Sequence, residues 1–82
     1  MENDSSLTNL VREIALALVD DPDSVEVTAI QSEASEIIQI KVAEDDRGKV
    51  IGKSGRIAKA IRTLVRAAAA KEGKRTLVEI ID

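Results

Sequence analysis

Cysteine and histidine are both absent from this chain, and so are phenylalanine, tyrosine and tryptophan. Without cysteine no disulfide can staple the fold and no thiolate can act as nucleophile or ligand. Without histidine the commonest general base and the commonest zinc ligand are missing together. The lack of aromatics excludes the stacking platforms on which RRM and OB folds hold single strands, where each stacked base is worth ~1–3 kcal/mol. No apolar run approaches the ~18–20 residues that cross a bilayer. The acidic start, Met1-Glu2-Asn3-Asp4, is unlike the basic opening of a secretory signal. A cytoplasmic protein is expected. With 82 residues and a single proline, the chain makes one domain with no repeat or linker. A domain this small buries only about 60–65% of its unfolded surface, so its stability margin is modest.

What is present is a polarised charge pattern. The net charge of −3 hides it. Residues 1–46 carry twelve acids against two bases, Arg12 and Lys41, whereas residues 47–75 carry ten bases against one acid, Glu72. Ordinary surfaces intersperse the two signs. Segregation on this scale is the footprint of an anionic partner, although a solvated basic helix would leave the same count.

Apolar spacing supplies the elements. Leu7, Leu10, Val11, Ile14, Ala15 and Leu18 recur at helical intervals and predict a first helix over residues 6–20, stopped by Pro22. Val25, Val27 and Ala29 alternate with Glu26, Thr28 and Ile30, the period of a strand. After a turn at Gln31–Ser35, the run Ile37–Val42 predicts a second strand, and the two form a hairpin. Glu44, Asp45 and Asp46 open a short helix to Ile51, reading as caps and solvated charge. Ile57, Ile61, Leu64, Val65 and Ala68 then mark a long helix ended by Gly73, and residues 76–81 form the last strand. The fold class is α+β, in the order α-β-β-α-α-β, with a three-stranded sheet covered by helices on one face. If the last strand lies beside the second, the helical crossover makes them parallel. Val25, Val27, Ile38, Ile40, Val42, Val78 and Ile80 are expected to face the helices. Ile30, Ile37, Leu77 and Ile81 are left for the other side.

The informative stretch is Val50-Ile51-Gly52-Lys53-Ser54-Gly55-Arg56-Ile57. Two glycines three apart, between apolar helix ends, allow a sharp turn that a phosphodiester can approach closely. The helix opening behind them adds outward N–H groups and partial positive charge, and Lys53 and Arg56 add full charges. A P-loop would need its first glycine at position 47, where Arg47 stands, and Gly48, Gly52 and Gly55 do not have dinucleotide-site spacing. An enzyme is not expected, nor a metal or cofactor.

The Gly52–Gly55 motif and the element order resemble the type II KH domain, whose GXXG loop clamps about four single-stranded nucleotides. Residues 17–23, 48–52 and 78–82 are further similar to the KhpA family of small bacterial KH proteins, and the resemblance covers residues 7–82. It implies a single KH domain over 6–82, residues 1–5 being a tail. It also implies a single-stranded RNA-binding protein, acting as RNA chaperone or post-transcriptional regulator in cell shape and cell wall biogenesis. The partners implied are a second copy and a larger KH protein of the Jag/KhpB type. Carried over by position, Gly52, Lys53, Ser54 and Gly55 contact the RNA backbone, and Lys49, Arg56 and Lys59 supply charge. Ile51 and Ile57, with Val50 and Ile38 or Ile40, form an apolar floor. Gln31–Ser35 is the candidate for the variable loop across the groove. Arg62, Arg66, Lys71, Lys74 and Arg75 read as general surface charge. With three or four phosphates neutralised, the log–log salt slope is expected to be about −2 to −3. The alternative is an interaction subunit that has lost RNA binding.

Overall fold

A computed structural model describes residues 6–33 and 35–81. The expected tail at residues 1–5 lies outside them. The first helix, α1, spans Ser6–Leu18 and is followed by a 3₁₀ turn at Pro22–Ser24. Strands β1 (Glu26–Gln31) and β2 (Glu36–Lys41) follow, then a 3₁₀ turn at Glu44–Asp46 and the short helix α2 (Arg47–Ile51). The Gly52–Gly55 break leads into α3 (Arg56–Lys71), and β3 (Thr76–Ile80) closes the order. This is the predicted α-β-β-α-α-β sequence.

The sheet runs β1-β2-β3, with β1 antiparallel to β2 and β3 parallel to β2. β3 is therefore an edge strand. The molecule is 19 Å in its shortest dimension, room for one sheet and one helical layer. Ile38, Ile40, Val42 and Val78 are buried beneath Leu7, Val11 and Ala15 of α1 and Ile61, Val65 and Ala69 of α3, while Val25, Val27 and Ile80 pack at the margin. On the open face Ile30, Ile37 and Leu77 stand opposite one another across the three strands, with Ile30 and Leu77 exposed. Among the described residues no helix is long and apolar enough to cross a membrane.

Two helices differ from expectation. α1 stops at Leu18 instead of residue 20, because the amides of Asp20 and Asp21 donate to the Asp46 carboxylate at 3.2 and 3.0 Å. In α3 the buried stripe is Ala58, Ile61, Val65 and Ala69, and Leu64 is 56% exposed. At 100° per residue Leu64 falls on the flank of the face that Ile61 and Val65 centre. The end of α3 is as expected. Gly73, at φ +72°, donates to the Ala70 carbonyl while Lys74 donates to that of Ala69, a Schellman closure.

Candidate nucleic-acid interface

The chain between α2 and α3 turns in four residues, three of them at positive φ. Gly52 has φ +79° and ψ 170°, Ser54 φ +58° and ψ 25°, and Gly55 φ +74° and ψ 15°. The Gly52 conformation belongs essentially to glycine alone. It is also the one position with no room: an added Cβ would lie 2.6 Å from Ile57 Cγ1 and 2.9 Å from the Ile57 amide nitrogen. Around Gly55 nothing lies within 4 Å of such an atom. Gly52 thus lets α2 and α3 close on each other, whereas Gly55 serves the turn's handedness.

The turn consumes few of its own donors. Gly55 N–H bonds the Gly52 carbonyl at 3.1 Å and Arg56 N–H the Lys53 carbonyl. No side chain caps α3. Lys53 and Ser54 open the 3₁₀ turn, where the first amides have no partner within the helix. Successive amides in a left-handed-to-right-handed turn form a concavity suited to an oxyanion. The side chains of Lys53, Ser54, Arg56 and Lys59 are all exposed around it. None of the four engages another described residue.

Lys49 is differently placed. Its ammonium bridges Asp20 Oδ2 at 3.0 Å and Asp46 Oδ1 at 3.2 Å. The Asp20 and Asp46 bonds hold its pKa above the ordinary lysine value, against a smaller opposing effect of burial. It is a brace for α2 before it is a donor to a ligand. Asp46, expected as solvated cap charge, has a side chain only 3% exposed and makes no cap bond. Burial alone would raise its pKa. The amides of Asp20 and Asp21 together with Lys49 outweigh that and hold it low. Sequence reading missed this carboxylate because its partners lie 25 and 26 positions away, and no periodicity marks them.

The expected apolar floor is divided. Val50, Ile38 and Ile40 have no exposed surface and belong to the core. Ile51 is 39% exposed and Ile57 half-buried beside Gly52, so these two remain at the surface of the loop. The expected second wall is at the wrong end. Gln31, Ser32, Glu33 and Ser35 sit beside Gly73, Lys74 and Arg75. That is the C-terminal end of α3, about 24 Å along a 16-residue helix from the Gly52–Gly55 loop. The reason is topological: β2 starts at that loop and runs toward α2, parallel to β3, which itself starts where α3 has ended.

The chain is similar to several known proteins. A family model described as KhpA/KhpB, KH domain, matches residues 8–80. A protein named RNA-binding protein KhpA from Caldanaerobacter subterraneus subsp. tengcongensis is 67% identical over 72 residues, covering 88% of this chain and 96% of its own length. One of the same name from Clostridium acetobutylicum is 57% identical over 75 residues, covering 92% and 100%. Among solved structures, Era in complex with MgGDPNP and a segment of 16S ribosomal RNA matches with a TM-score of 0.62 at 23% identity. A form of Aquifex aeolicus Era bound to GDP and aluminium fluoride matches with a TM-score of 0.61, also at 23% identity. Both comparisons cover 92% of this chain and 30% of the Era chain, and the likeness is one of fold.

Proposed function

Since the chain belongs to the KhpA/KhpB KH-domain family, which is not a family of enzymes, we propose that it binds single-stranded RNA through the Gly52–Gly55 loop. One observation carries this reading. An exposed turn with two amides that have no partner within its helix and two unengaged cations, Lys53 and Arg56, stands in a chain 67% identical to a protein named for RNA binding. The amides and cations meet the sugar–phosphate backbone, which positions the strand and carries no base identity. Lys59 extends the charge along α3, and Ile51 and Ile57 offer apolar surface to a base. Lys49 contributes through the position of α2.

With no aromatic side chain to stack on, one domain holds RNA weakly. Tight binding then comes from two domains acting together, where effective concentration multiplies modest affinities. We accordingly read the protein as a cytoplasmic RNA chaperone or post-transcriptional regulator working as a homodimer or beside a KhpB-type KH protein. Sedimentation at micromolar concentration tests the self-pairing.

The loop is tested by replacing Lys53 and Ser54 together with aspartate. Aspartate tolerates the left-handed conformation of Ser54 better than most residues, so the turn persists. RNA affinity at low salt should fall at least about thirtyfold, from two reversed contacts and lost counterion release. The circular dichroism spectrum should not change. Unchanged affinity would remove the loop from the site.

A further inference from the structure

We propose that the RNA path does not end at the Gly52–Gly55 loop but continues down α3 to a second subsite at its C-terminal end, where Arg66, Lys74 and Arg75 hold a further phosphate. The proposal rests on the reading of that loop as an RNA clamp.

The first support is alignment. At 100° per residue, Arg56, Lys59, Arg62 and Arg66 fall within an arc of about 120° on α3. All four are exposed. Arg62 Nε donates to the Val78 carbonyl at 3.3 Å, which fixes this flank of α3 over the free edge of β3. The basic residues that read as dispersed surface charge are therefore one track, beginning beside the glycine loop.

The second support is a built depression at the far end of the track. Its volume is about 520 Å³, and Arg66, Lys74 and Arg75 surround Ala70, Thr76 and Leu77. Arg66 and Arg75 engage no other described side chain, and Lys74 has only Glu72 at 3.7 Å. Leu77 is 49% exposed, an apolar seat for a base. Thr76, 5% exposed, closes the floor of the hollow. A nucleotide offers both the anion for the arginines and an apolar face for Leu77. An acidic peptide would meet the charges equally well, but nothing would then explain why they line up with the glycine loop.

Strand length separates the two subsites. A labelled tetranucleotide fits the loop alone, whereas a decanucleotide reaches both. For the variant R66Q/R75Q, fluorescence anisotropy should show the decanucleotide bound about tenfold more weakly, with its log–log salt slope shallower by about 0.7. Tetranucleotide affinity should stay within twofold of wild type, and R66K/R75K should restore most of the loss. No change for the long strand, or an equal loss for both, overturns the second subsite. The double aspartate variant at Lys53 and Ser54 is the control. If it loses the tetranucleotide while R66Q/R75Q binds the decanucleotide normally, only the extension fails. If it binds both strands normally, the clamp itself fails and the extension with it.

Discussion

Alanine at Gly52 should remove a large part of the domain's stability, while asparagine at Gly55 should remove little, although the two glycines look equivalent in the motif. At Gly52 two costs add. A residue with a Cβ at φ +79° and ψ 170° carries roughly 1–3 kcal/mol of backbone strain. The new methyl would stand 2.6–2.9 Å from Ile57, including its amide nitrogen, and backbone cannot rotate away as a flexible side-chain tip can. Overpacking of that kind costs about 1–3 kcal/mol more. A domain of 82 residues has on the order of 4–12 kcal/mol in all. Gly55, at φ +74° and ψ 15°, lies in the left-handed well that asparagine enters readily, with nothing near its Cβ position. Urea denaturation of the two variants measures the difference directly. Equal midpoints would show that Gly52 is not the contact point of the two helices.

That asymmetry marks the boundary of what residue order reveals. The strands, the order of the elements and the exposure of the loop all followed from period, glycine placement and charge. Each of those signals is local. Val50 shows the limit: it sits in the motif between Lys49 and Ile51, yet it is wholly buried while Ile51 is not. Which side of a five-residue helix faces inward depends on where α1 and α3 lie. Identity and spacing place Leu64 in the apolar stripe of α3, but the actual face rotates past it to take in Ala58 and Ala69. The family resemblance sets Gln31–Ser35 across from the glycine loop, but strand direction puts it a helix length away. Nothing in residue order groups Arg62 with the sheet, yet its side chain reaches the Val78 carbonyl on the edge strand β3.

Asp46 makes the same point with a larger consequence, and removing it should lower the melting temperature more than any single change to the exposed loop cations. Its carboxylate takes the amides of Asp20 and Asp21 and the ammonium of Lys49, with almost no exposed surface. Alanine would leave two amides at the α1–β1 turn without an acceptor and Lys49 with Asp20 alone. Truncating one member of a buried charged network is among the most damaging single changes. A fall of roughly 10 °C or more is expected in a domain this small. Asparagine should be nearly as harmful, because its amide nitrogen would face donors. The pH dependence has a definite sign. A carboxyl held below its ordinary value contributes stability that is complete above the unfolded-state pKa, near 3.8, and lost as pH falls through the folded-state value. Wild-type melting temperature should therefore drop steeply below about pH 4. That limb should be shallower in D46N, whose remaining carboxylates are mostly exposed. Lys49, held above its ordinary value by Asp20 and Asp46, acts oppositely: its contribution is complete below about pH 10.5 and lost as pH rises further. Because the Lys49 side chain is 43% exposed, K49M should cost only a few degrees at pH 7. RNA affinity in K49M should weaken through the shifted α2, with little change in salt slope. A D46N variant as stable as wild type at pH 7 would mean that the α1–β1 turn holds its place without this carboxylate.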